Sequence, residues 1–202
     1  PGRDTRAIFC EDASGLVFDS LEVVNVEVFD GYVAECFRSD VRFSDSRFIR
    51  NYSEHRNGGA VSLTYSTVVF ERCLLAKNEA GGYGGAIESD GSQVVLESCT
   101  VTGNRGQRGG GIYILGGSLG LRNTVLWGNC AAGEFWDLYV GAGAALTVDD
   151  CCLDTTGIAL PGPHGPREYR NRLVTVNPQF CRWTACELGT EDDYRLRSDS
   201  PC

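Results

Sequence analysis

A short pattern recurs along this chain at a nearly fixed interval, and an interval of that size limits the fold to a stack of like units. Gly58-Gly59-Ala60-Val61 returns as Gly84-Gly85-Ala86-Ile87 and again as Gly110-Gly111-Ile112-Tyr113, each step being 26 residues. Cys73-Leu74-Leu75-Ala76-Lys77-Asn78 returns 26 residues on as Cys99-Thr100-Val101-Thr102-Gly103-Asn104, and 25 further on as Thr124-Val125-Leu126-Trp127-Gly128-Asn129. Upstream, at a step of 27, Ser46-Arg47-Phe48-Ile49-Arg50-Asn51 fills the same slot, and Gly31-Tyr32-Val33-Ala34 stands where the Gly-Gly unit belongs.

Within each unit, stretches such as Ser92-Gln93-Val94-Val95-Leu96-Glu97 are rich in β-branched residues and lack helical spacing, so they read as strands. The Gly-Gly and Asn positions suit turns that need positive φ. A unit of three short strands cannot hide its own apolar side chains. Stacked at ~4.8 Å on its neighbours it forms parallel in-register sheets around a continuous core. The expected fold is therefore all-β: a single-stranded parallel β-helix, or β-solenoid, with coils of about 26 residues. Coils are expected over residues 1–155, most regular over 31–130, followed by an irregular Cys-rich C-terminal cap over 156–202. Like should lie over like: Phe48, Leu75, Val101 and Leu126 in one column, and Asn51, Asn78, Asn104 and Asn129 in another. Side-chain amides in such a column can bond from coil to coil as a ladder. That ladder accounts for Asn51 better than the glycosylation sequon Asn51-Tyr52-Ser53 does, because it also accounts for the other three.

Gly-Gly-Ala-Ile with a terminal Asn some twenty residues later resembles the repeats of pectate-lyase-like right-handed β-helix proteins, above all those of the polymorphic-outer-membrane-protein type. The resemblance implies a right-handed coil and says little about activity. Asn177-Pro178-Gln179-Phe180-Cys181, Asp193-Tyr194-Arg195-Leu196 and Ser198 to Cys202 are similar to the closing segment of many secreted bacterial β-helix proteins. That likeness implies a C-terminal cap lying across the last coil.

Ten Cys in a chain without Met point to an oxidising compartment and to a processed or excised segment, hence an exported, extracellular or cell-surface protein. Cys10 and Cys36 are 26 apart, as are Cys73 and Cys99, so each pair should sit on adjacent coils within reach of a disulfide. We read Cys10–Cys36 as a bridge and Cys73 and Cys99 as free thiols, with buried thiols the competing reading for both pairs. Cys130, Cys151, Cys152, Cys181, Cys186 and Cys202 fall in the less regular third, where bridges would offset a poorer core. Cys181 with Cys186 is the expected local pair. Their spacing, with adjacent Cys151 and Cys152, is not that of a zinc ribbon, so no metal is expected.

The net charge of −9 excludes the basic face that nucleic acid requires. No apolar run approaches the length of a membrane span. Neither His55 nor His164 has a Ser or Cys partner at a matching register, which leaves no catalytic triad. Gly81-Gly82-Tyr83-Gly84-Gly85 lacks the Lys and helix of a phosphate loop, so no cofactor is expected. Glu71 and Glu97, 26 apart, should stack outward with Arg122 next in the row. Two such carboxyls have the separation of a retaining glycosidase pair, although a solvated charged face explains them as well. The calcium-binding Asp cluster and catalytic Arg of pectate lyases are not found. Tyr65, Tyr83, Tyr113, Trp127, Phe135 and Trp136 are candidate sugar-stacking aromatics, with Trp127 and Trp136 equally suited to packing under the cap. Two functions follow: a non-catalytic structural or adhesive module that self-associates end to end into a coat or filament, or a polysaccharide-binding or polysaccharide-degrading protein.

Overall fold

The structure, a computed structural model, describes residues 6–132, 137–163, 165–182 and 193–202. It is an all-β parallel solenoid of about six coils. The first face is a seven-stranded sheet running from Arg6–Glu11 through Ile87–Asp90 to Ile158–Ala159. The second and third faces, represented by Gln93–Glu97 and Thr100–Thr102, share one 12-stranded sheet because Ala145–Leu153 spans both. Two-residue strands such as Glu79–Ala80 form a smaller five-stranded sheet that closes the circuit.

Three corners turn each coil by one device. A residue at positive φ reverses the chain, and the small polar residue after it points inward. At the first corner Arg38 and Tyr65 take φ of 46° and 49°, and Ser39, Ser66 and Ser92 follow the turn residues. The amide of Ser39 donates to Ser66 Oγ at 3.0 Å and that of Ser66 to Ser92 Oγ at 3.0 Å. At the second corner Ser46, Cys73, Cys99 and Thr124 do the same work. The Leu21 amide donates to Ser46 Oγ (3.1 Å), Cys73 N to Cys99 Sγ (3.4 Å) and Cys99 N to Thr124 Oγ1 (3.3 Å). The third corner holds the asparagines. Asn78 N and Nδ2 both donate to Asn104 Oδ1, at 2.8 and 2.9 Å, while Nδ2 also reaches Phe48 O at 2.9 Å. Each asparagine thus ties three coils together and pairs corner amides that would otherwise be buried and unsatisfied.

The ladder has a direction and a terminus. Asn51 donates to Asn78, Asn78 to Asn104 and Asn104 to Asn129. Asn129 N and Nδ2 then donate to Asp137 Oδ1 at 2.7 and 2.6 Å. The acceptor is an aspartate only eight residues further on, because the coil after Asn129 is shortened at this corner.

Between corners, inward side chains pile into columns. Phe48, Leu75, Val101 and Leu126 are register partners and fully buried. Phe18, Phe43 and Phe70 stack at 5.2 Å per step. Each such side chain contributes roughly 1.5–3 kcal/mol of burial. The Gly pair has a steric cause: Gly84 turns at φ +66°, and a Cβ on Gly85 would lie 2.1 Å from the Gly110 carbonyl oxygen. Register also corrects the spacing at the third copy. Ile87 pairs with Ile112, so that coil has 25 residues and its Gly pair is Gly109-Gly110, with Gly111 in the place of Ala86.

Two further expectations change. Parallel stacking continues past residue 155, since Arg167–Val174 pairs with Ala145–Leu153. The described residues beyond it run along a flank of the solenoid. Phe180 and Tyr194 pack with Trp127 and Val174 on the outward-facing Val125 and Cys152, and Cys202 is disulfide-bonded to Cys152. The antiparallel pair Phe180–Arg182 and Asp193–Leu196 is therefore a strap along one flank.

Candidate functional site

The outward row that contains Glu71 and Glu97 runs Ser44, Glu71, Glu97, Arg122, Asp149, one residue per coil. Glu71 accepts from Arg42 Nη1 at 2.9 Å and also pairs with Arg72. Arg72 in turn holds Asp45 through Nε (2.8 Å) and Nη2 (2.6 Å), which keeps the Asp45 carboxyl below its ordinary range. Glu71 is thus paired with two guanidiniums at once. Beyond it the row alternates in charge, Glu97, Arg122 and Asp149 lying in register on successive coils.

Cys10 and Cys36 face each other across adjacent strands, yet both are free and buried. Parallel stacking points the two side chains in the same direction, and burial pushes both thiols up, so they fill core space as weak hydrogen-bond groups. Cys73, Cys99 and Cys151 are also free and buried. Besides Cys152–Cys202, Cys130 is disulfide-bonded. The proposed pairing of Cys181 with Cys186 falls outside the described residues, as do His164, Phe135 and Trp136. Among the described residues there is no cluster of three metal-ligating side chains, and no helix is long and apolar enough to cross a membrane.

Two features escape a reading of the sequence. Glu88 faces outward on the first sheet but is covered, accepting from Ser62 Oγ at 2.9 Å, and burial raises its carboxyl to about 7. Beside it Tyr83, Tyr113 and Tyr139 stack at 4.8 and 4.6 Å, so these rings spend their faces on one another. Tyr65 is exposed with its ring over Gly91, Trp127 packs beneath the strap, and His55 meets Phe29 edge-on at 4.5 Å.

The second feature is a groove along the flank that carries the strap. Its floor is made of two neighbouring columns. One is the second corner, with Asp45, Arg72, Ser98, Asn123 and Asp150 at positive φ in successive coils, the last of them within the strand Ala145–Leu153. The other is the outward row Arg47, Leu74, Thr100, Val125, Cys152, Val174. Over the earlier coils the strap leaves a cleft of about 620 Å³, walled by Asp193, Tyr194 and Arg195. Over the later coils a second cleft of about 310 Å³ lies between Asn123, Asp150, Arg172 and Cys202. Tyr194, packed on the cluster beneath the strap, lines the first of these clefts.

The model of the right-handed β-helix region matches residues 4–156. This chain belongs to the right-handed β-helix family. No curated protein matches the sequence of this β-helix at a significant level. In this family member the matched region ends before Arg167–Val174, so the strap lies outside it while the floor of the groove from Asp45 to Asp150 lies inside.

Proposed function

We propose that this protein is a discrete, rigid binding module working outside the cytosol, and that it is not the repeating subunit of an end-to-end filament. The observation that carries the reading is the composition of the C-terminal edge. Arg167 pairs with Leu146 and so occupies an inward-facing position over the core, with Nε and Nη2 shielded and without a hydrogen-bond partner among the described residues. A copy stacked on that edge would seal an unpaired guanidinium inside the joint, at a cost of several kcal/mol. Inward-pointing charge on an outer strand is a known guard against edge pairing.

The opposite edge supports the same reading. Corner side chains accept amides from the coil before, as Ser39 does from Ala13, Ser46 from Leu21 and Asn51 from Val26. In the first coil those corner positions are Ala13, Leu21 and Val26, which offer no acceptor to a copy placed beneath. The Cys152–Cys202 bridge supports an oxidising location. The wrapping of Glu71 by Arg42 and Arg72 supports binding rather than acid–base chemistry at that face.

End-to-end assembly has one observation in its favour: exposed Val17 and Phe29 beside the partly covered Ile8, Leu16 and Phe18 at the first coil. Light scattering coupled to gel filtration, with negative-stain imaging of the peak, decides between them. A single monomer mass across a hundredfold concentration range is expected, and Arg167→Val should raise the tendency to associate. Fibres of the unaltered protein, or association unchanged by Arg167→Val, would overturn the reading.

A further inference from the structure

We propose that Tyr113 is an oxidative cross-linking site, joined to Tyr139 or to Tyr83 as an intramolecular dityrosine by one-electron oxidation of the kind that a peroxidase and hydrogen peroxide supply. The inference goes beyond the reading of the protein as a binding module and does not depend on it.

The fold sets the three rings in the arrangement that coupling requires. Tyr113 and Tyr139 are register partners on the outer face of the first sheet, so their side chains leave the main chain from the same slot in successive coils. Tyr83 reaches the stack from the turn that precedes Gly84-Gly85. The centroid spacings of 4.6 and 4.8 Å, with planes 15° and 20° apart, follow the stacking of one coil on the next. Arg108 lies 5.8 Å from the centroid of Tyr83 and 5.9 Å from that of Tyr139, and so spans the middle ring. A bond between two tyrosyl radicals forms from the π lobes of their ring carbons, which point along the ring normal. In a parallel stack each normal points at the neighbouring ring.

Exposure decides where the electrons leave. Tyr113 is 5% exposed, whereas Tyr83 and Tyr139 are half-buried and reach solvent. An oxidant too large to touch Tyr113 takes an electron from an outer ring, and ring contact carries the vacancy inward. Each of the two reacting rings gives up one electron and its phenolic proton, the proton going to water. The radicals couple through carbons ortho to their oxygens, and the hydrogen on each coupled carbon then moves to its oxygen, restoring both phenols. One hydrogen peroxide takes up the two electrons and two protons as it is reduced to two waters. Tyr83 and Tyr139 lie on opposite faces of Tyr113 and cannot reach each other, so every linked pair includes Tyr113. The product staples adjacent coils across the first sheet, as Cys152–Cys202 staples the C-terminal residue to the flank.

Photo-oxidation of the dilute full chain with tris(bipyridine)ruthenium(II) and persulfate, a one-electron oxidant, tests the proposal. Reduction and trypsin digestion then place Tyr83, Tyr113 and Tyr139 on separate peptides, 78–105, 109–122 and 123–167, with no other tyrosine on any of them. Mass spectrometry should find 109–122 joined to 123–167 or to 78–105, each pair lighter by two hydrogen atoms than its parts, together with dityrosine fluorescence. Tyr113→Phe keeps the stacked ring and should abolish both products, while Tyr139→Phe and Tyr83→Phe should each leave one. Unfolding the unaltered chain in urea before oxidation should abolish the preference for these pairs. Absence of any link to 109–122 in the folded protein, persistence of a 78–105 to 123–167 link in Tyr113→Phe, or links formed only between separate copies would overturn the proposal.

Discussion

Replacing Asp137 by Asn should change how the stability of this protein depends on pH, by an amount the structure sets. Asp137 ends the asparagine ladder, is 4% exposed and accepts two bonds from Asn129 through one oxygen. Desolvation outweighs those bonds and lifts its carboxyl from 3.8 to about 7. A raised folded pKa means that the native state holds the proton more tightly than the unfolded chain does. The stabilisation this provides is complete below pH 3.8 and is lost as pH rises to about 7. A displacement from 3.8 to about 7 corresponds to about 4 kcal/mol at most. An Asn at this position stays neutral at every pH and continues the amide ladder by one rung. Between pH 4 and pH 8 the stability difference should therefore move in favour of Asp137→Asn by up to about 4 kcal/mol. Urea denaturation of both proteins, followed by circular dichroism at half-unit steps of pH, reads this difference directly, and contributions from all other groups cancel. A difference that stays flat, or that moves toward the unaltered protein as pH rises, would refute the assignment of Asp137 as a buried, proton-holding terminus.

Glu88→Gln should shift stability in the same direction over the window from 4.5 to about 7, by about 3 kcal/mol, measured in the same way. Asn104→Ala removes the acceptor shared by Asn78 N and Nδ2, stranding Asn78 N inside the stack while Nδ2 keeps its bond to Phe48 O, so a loss of about 2–4 kcal/mol in urea denaturation is expected. Ser89 carries a fully buried hydroxyl without a partner in the core between Leu63 and Ile114. Ser89→Ala should leave stability unchanged or raise it by about 1 kcal/mol, in contrast to most buried substitutions.

The asparagine ladder and the Phe48–Leu126 column were legible because one residue type, or one size of apolar residue, recurs at the same slot. The other two corners use the same geometry, and although Ser46, Cys73, Cys99 and Thr124 aligned in one slot, their role as amide acceptors was not legible. At the second corner the inward group changes from Ser46 to Cys73 to Thr124, and only the shared ability to accept one amide unites them. Asp137 was hidden for a different reason: it lies eight residues from Asn129, where periodicity predicts a partner near 25. Arg167–Val174 did not read as a coil strand because Arg167 and Tyr169 stand over Leu146 and Val148, where the pattern calls for apolar residues. The flank groove depends on a segment without repeats folding back on Val125 and Cys152, and no local pattern reports such a contact. Cys10 and Cys36 show the limit of spacing as a guide. Register brought them together as expected, while the common direction of their side chains left them as thiols.

Nuclear Overhauser spectroscopy on selectively labelled asparagine side chains tests the stacking on which all of this depends. Cross-peaks are predicted between the amide protons of Asn78 and Asn104, and between those of Asn104 and Asn129, residues far apart in sequence that share hydrogen bonds of 2.9 and 2.8 Å. Side-chain amides that exchange freely with water and show contacts only to their sequence neighbours would contradict it.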